Sequence, residues 1–147
     1  CRCRRSGRDA RNRAQVKANL DTNVLLRLIV GDDEAQQKMA IETLEAAELV
    51  AISVHAFCEF AWVLDRSYGV QRTDISAAIR HILDMRNVVA NRPTIEAGLA
   101  VLDAGGDFAD GVIAFDGQWL GGETFVSFDK KAVKLLEGQG TDALLLK

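Results

Sequence analysis

The feature that most constrains this chain is a pattern that occurs twice: a short apolar segment, an acid, then a helix-forming run. It first appears as Lys17-Ala18-Asn19-Leu20-Asp21-Thr22-Asn23-Val24-Leu25-Leu26-Arg27 and returns as Thr124-Phe125-Val126-Ser127-Phe128-Asp129-Lys130-Lys131. Strands that lead straight into helices pair in parallel through helical crossovers, so the pattern predicts a parallel sheet covered by helices. In open sheets of that kind ligands bind beyond the carboxyl ends of the strands, where Asp21 and Asp129 fall. The plainer reading of either acid is a helix cap, since Asp accepts bonds from the free N–H groups of a first helical turn. The repetition favours the first reading: neighbouring parallel strands would carry both acids to one rim.

Between these two stretches the order is helix-rich. Asn23 to Val30 reads as a short helix stopped by Gly31, and Glu34 to Ala47 as a second, with acids placed at its positive end. Leu49 to Ile52 has the length and composition of a buried strand, and Ser53 is placed to cap the next helix, Val54 to about Tyr68. In that helix Val54, Phe57, Cys58, Ala61 and Trp62 recur at the spacing of a core-facing stripe. Helices are further expected over Thr73 to Met85, from Pro93 to Asp103, from Asp107 to about Phe115, and from Lys130. Val88 to Ala90 reads as a short extended link and Thr141 to Leu146 as a final edge strand.

At 147 residues and 48% hydrophobic composition, the chain suits one domain with a real core. Residues 1 to 17 hold seven Lys/Arg against one acid, while the remainder holds 11 basic and 20 acidic residues, a balance of -9. Residues 1–15 are too polar to fold alone and read as a disordered tail ahead of a domain over 16–147. The natural protein is expected to start near Val16 through a non-AUG codon; a nucleic-acid-binding arm is the alternative for the basic stretch. Cys1, Cys3 and Cys58 do not make a disulfide framework, and Cys58 is expected as a buried thiol. Without a membrane-length apolar run or signal-peptide core, a soluble, cytoplasmic protein with no membrane partner is expected.

Two further acids stand in apolar surroundings. Glu59 lies on the edge of the apolar stripe, where a carboxylate is costly unless it has a cation or donors nearby, although it can also reach past the core to water. Asp110 sits one turn inside a helix that Asp107 can cap, beside small and apolar residues, so Asp110 reads as a ligand and Asp107 as its support. His55 and His81 have no Cys or His at ligand spacing and read as structural. If Asp21, Glu59, Asp110 and Asp129 converge, pairs about 5 Å apart repel by roughly 3 kcal/mol at an effective dielectric near 20. Such oxygen donors select Mg²⁺ or Mn²⁺ rather than zinc.

The ordered set Leu20-Asp21-Thr22-Asn23-Val24-Leu25-Leu26-Arg27, Cys58-Glu59-Phe60-Ala61-Trp62-Val63-Leu64, Asp107-Phe108-Ala109-Asp110 and Ser127-Phe128-Asp129-Lys130-Lys131 resembles the PIN-domain ribonucleases. Within them it is most similar to the VapC toxins of bacterial toxin-antitoxin pairs, from about Val16 to the C-terminus. The resemblance implies a PIN-like three-layer α/β fold, with a central, mostly parallel sheet of four or five strands flanked by helices. It implies a Mg²⁺ or Mn²⁺ site on Asp21, Glu59, Asp110 and Asp129, supported by Thr22, Asn23 and Asp107. The implied activity is RNA hydrolysis, with Arg27 on a position often basic in VapC proteins; the reading taken from it has metal-bound water attack while Arg27 with Lys130 or Lys131 steers phosphate. A homodimer and a VapB-like antitoxin whose basic tail enters the acidic groove are implied as partners. Two departures from the family pattern are Ser127, where Thr is commoner, and the stretch Gln118 to Glu123. A non-catalytic PIN-like RNA- or protein-binding module is one alternative. A haloacid-dehalogenase-like phosphatase is a weaker one, because it needs an Asp where this chain has Asn23.

Overall fold

The computed structural model describes residues 16–147. The expected tail over 1–15, with Cys1 and Cys3, lies outside the described residues. The elements follow as β1 (Lys17–Asn19), α1 (Thr22–Ile29), α2 (Glu34–Ala46), β2 (Leu49–Ala51), α3 (Val54–Arg66), α4 (Arg72–Leu83), β3 (Val88–Val89), α5 (Arg92–Asp103), α6 (Phe108–Trp119), β4 (Thr124–Ser127), α7 (Lys130–Gly138) and β5 (Asp142–Leu145). Local chemistry accounts for many of these boundaries. The Asp33 carboxylate accepts from Gln36 N–H to start α2, the Ser53 hydroxyl accepts from Ala56 N–H to start α3, and Pro93 occupies the first turn of α5.

Among the described residues every strand pairing is parallel, and the mixed α/β architecture expected from the sequence is present. The strands divide into a three-stranded ladder ordered β1-β2-β3 and a two-stranded ladder of β4 and β5. β1 and β4 are therefore not hydrogen-bonded neighbours. Strands of two to four residues make few ladder bonds, and helices join the two sheets instead. Leu25, Phe57, Phe60, Leu64, Ile79, Ile82 and Ile95, all at 0% exposure, sit in the larger core. Val101 of α5, Ala114 of α6 and Leu136 of α7 form a second core, packed against Phe125 of β4.

Two local differences bear on function. α3 buries Phe57, Phe60, Ala61 and Leu64, a stripe rotated from the expected one, and leaves Trp62 62% exposed. Both stripes have helical spacing; the one observed buries an extra phenylalanine and a leucine. α6 runs on to Trp119 rather than ending near Phe115, because the helix tolerates Gly117 and stops only at Gly121, whose φ of +98° a side chain would strain.

α5 and α6 touch at glycines. A Cβ on Gly98 would stand 2.6 Å from the Phe108 ring, and one on Gly111 would stand 2.4 Å from the Ala97 carbonyl oxygen. The missing side chains let α6 lie directly on α5 with Phe108 buried between them. This contact fixes the first turn of α6, which carries Asp107 and Asp110.

Candidate active site

The register of the first ladder builds one part of the site. Asn19 pairs with Ala51, and Leu20 N–H donates to the Ala51 carbonyl at 3.0 Å, so β1 and β2 end level with each other. α1 and α3 consequently start from the same rim. The Thr22 hydroxyl, on a residue only 9% exposed, donates to Glu59 Oε2 at 2.9 Å. His55, one turn earlier on α3, places Nε2 2.7 Å from Glu59 Oε1. The Thr22 hydrogen bond first, and the His55 hydrogen bond second, hold the Glu59 carboxyl below its ordinary range.

Asp21 occupies the N-cap position of α1, yet its side chain makes no capping hydrogen bond. Asp107 stands in the same way at the start of α6. In these two cases the capping explanation fails. Asp129 does cap: its Oδ1 accepts from Lys131 N–H at 2.9 Å and from Ala132 N–H at 3.2 Å. The Asp129 N–H donates to Ser127 Oγ at 2.9 Å, a bond that needs only the hydroxyl Ser shares with Thr.

Asp110 is half-buried, and its carboxyl is pushed above its ordinary range by burial first, then by the negative charges of Asp107 and Asp129. The contacts and charges thus fall into two groups: Glu59 held by Thr22, the residue after Asp21, and Asp110 with Asp107 and Asp129. α3 packs against α6, and Cys58, next to Glu59, lines the same cavity as Asp110. Among the described residues no three His, Cys, Asp or Glu side chains converge as a ready-made metal cluster. Glu59 is committed to Thr22 and His55, and one oxygen of Asp129 to the backbone of α7. The donor set nonetheless fits a hard divalent cation: it is all carboxylate, with Asp21 and Asp107 uncapped and Asp110 crowded by like charge.

The expected phosphate-steering groups differ among themselves. Arg27 is ion-paired with Asp32, whereas Lys130 and Lys131 are exposed in the first turn of α7 and form no ion pair among the described residues. Asn23 is exposed in the first turn of α1. Cys58 is a half-buried thiol, pushed up by burial and then by Asp116.

Sequence reasoning missed His55, although its position four residues before Glu59 on one helix face was a usable signal. It also missed a cavity of about 120 Å³ beside Asp107 and Asp110, walled by Trp62, Arg66 and Arg72. Arg72 Nε donates to the Gly106 carbonyl at 3.2 Å, a contact 34 residues apart that no local pattern announces. No helix among the described residues is long and apolar enough to cross a membrane. In comparison with known proteins, the family model described as PIN domain matches residues 18–136. No curated protein and no solved structure matches the chain.

Proposed function

The chain belongs to the PIN-domain family, whose members are generally nucleases that typically use divalent metals, and on that premise we propose that it is a Mg²⁺- or Mn²⁺-dependent endoribonuclease. Its cellular role in this reading is the toxin of a VapBC-type pair: a cytoplasmic homodimer restrained by a VapB-like antitoxin. Asp21, Glu59, Asp110 and Asp129 would hold the cation, with Asp107 beside them. When bound, it supplies Lewis-acid polarisation of the scissile phosphate and activation of the hydrolytic water.

The chain's own residues prepare that chemistry. Thr22 and His55 hold Glu59 ionised and fix where its oxygens point. Ser127 and the first turn of α7 orient Asp129. Asn23 adds an exposed amide beside Asp21, and Lys130 and Lys131 offer positive charge to the RNA backbone next to Asp129. Arg27 would have to leave Asp32 to join them.

The observation that carries this reading is the start of α6, where the Asp107 side chain leaves the N-cap unbonded and Asp110, one turn on, is half-buried, feels the negative charge of Asp107 and Asp129, and forms no ion pair among the described residues. Such an arrangement suits a divalent cation better than it suits packing. The test is cleavage of single-stranded RNA in Mn²⁺, with chelator as control. Asp21→Asn should lower the rate about a thousandfold, the scale of losing several kcal/mol of charge stabilisation, without changing the circular dichroism spectrum. Full activity in a clean Asp21→Asn preparation overturns the assignment.

A further inference from the structure

We infer that the cavity between α3 and the first turn of α6 is a subsite for single-stranded RNA, taking the nucleotide beside the scissile phosphate. In it the Trp62 indole stacks on the base, and Arg72 with Arg66 holds the phosphate. The inference rests on the ribonuclease reading above. It begins with the exposure of Trp62, which is 62% exposed on a helix whose two phenylalanines, Phe57 and Phe60, are both at 0%. Glu59, Trp62 and Arg66 follow at i, i+3 and i+7, a single stripe along α3. The stripe runs roughly 10 Å along the helix, from a carboxylate of the candidate site through an aromatic face to a guanidinium.

Arg72 completes the wall from the start of α4. Its Nε bond to the Gly106 carbonyl fixes the plane of the guanidinium beside the loop that leads into Asp107. It shares the cavity with Asp65, Asp107 and Asp110, yet among the described residues it forms an ion pair with none of them. Arg66 reaches only Asp65, at 4.0 Å. Arg72, with no ion pair among the described residues, and Arg66, with only the 4.0 Å contact of its Nε to Asp65, keep their outer N–H groups for an anion from outside, and a planar fork matches phosphate geometry. From residue 18 onward the chain carries 11 basic against 20 acidic residues, so a polyanion needs such local positive charge to approach. Stacking on tryptophan accepts any base, which suits an unpaired strand. The cavity mixes apolar walls, among them Ala61, Ile75 and Phe108, with the charged Asp65, Arg66, Arg72, Asp107 and Asp110, so a base and its phosphate each find a matching surface.

The test measures kcat and KM for a labelled single-stranded RNA 12-mer in Mn²⁺, using the full chain. Trp62→Ala should raise KM about tenfold with kcat within about twofold, and Trp62→Phe should recover most of the loss. Arg72→Gln should raise KM several-fold and lower the slope of log affinity against log salt by about 0.7, the signature of one lost phosphate contact on a single strand. Arg66→Gln should act in the same direction and leaves the Gly106 contact intact. Trp119→Ala, which removes a tryptophan 80% exposed at the far end of α6, should leave KM unchanged. If the wild type cleaves while Trp62→Ala and both arginine variants keep its KM, the subsite is overturned and the nuclease reading stands. If the wild type neither binds nor cleaves RNA, both fall. If Trp62→Ala alters the sedimentation mass and not KM, Trp62 serves a protein interface and the subsite is overturned.

Discussion

The two acidic groups at the candidate site are built from the same residue types and behave oppositely. Around Glu59 the protein provides its own donors, the Thr22 hydroxyl and the His55 ring, and the carboxyl is held down. Around Asp110 it provides burial and two more acids, and the carboxyl is pushed up. Glu59 is satisfied internally; Asp110 is left under electrostatic tension that a divalent cation would relieve in the proposed reading. A metal site of the proposed kind would have half of its geometry set in advance and half of its charge free to attract.

The sharpest way to break this contrast is Asp110→Asn. It should cost about a thousandfold in RNA cleavage while raising the melting temperature of the metal-free protein at neutral pH. The sign follows from the raised folded-state pKa. The penalty of ionising Asp110 is present at neutral pH and disappears as pH falls through that raised value, so the gain from Asn should fade on acidification. Melting curves from neutral to mildly acidic pH, with and without Mn²⁺, check both points, and Mn²⁺ should stabilise the variant less than the wild type. Next in size, Gly111→Ala should destabilise the protein by about 2 kcal/mol, because the new methyl meets the Ala97 carbonyl oxygen, which is backbone and cannot swing away. Urea denaturation measures that loss.

Thr22→Val sharpens the comparison from the other side. Removing the donor to Glu59 should lower cleavage about tenfold, the usual scale for losing a hydrogen bond that positions a ligand. It should also flatten the acid limb of the stability profile. With its pKa depressed, Glu59 lends stability above its unfolded value and loses it as pH falls through the folded one, and Val deletes the largest cause of that depression. The smallest effect is expected from His55→Ala, about twofold to threefold in cleavage, since the ring is 83% exposed and Thr22 remains.

Much of the fold was legible because its signals are local. The strand-acid-helix pattern placed Asp21 and Asp129 at helix starts, and Ser53 and Pro93 marked helix beginnings where the structure has them. Pairing was not legible in the same way. Nothing in a strand as short as Lys17–Asn19 says that its partner is Leu49–Ala51 alone, so the expected adjacency of β1 and β4 was replaced by two ladders. The face that α3 buries was ambiguous because two apolar stripes coexist on it, and only packing against α1, α4 and α5 selects Phe60 over Trp62. Arg27 looked like a phosphate ligand in isolation, and its pairing with Asp32 depends on how the chain turns after α1. The contact of Arg72 with Gly106 spans 34 residues and is a property of the tertiary structure alone.

Phe108 follows Asp107 and precedes Asp110 by two positions, and it is 2% exposed with its ring over Gly98. The most water-shunning side chain of that turn is therefore wedged between two of the most water-seeking. An oily anchor of this sort is not screened by salt, whereas attraction between charges fades with ionic strength. The mouth of the cleft should accordingly keep its shape across salt conditions that strongly alter what it captures.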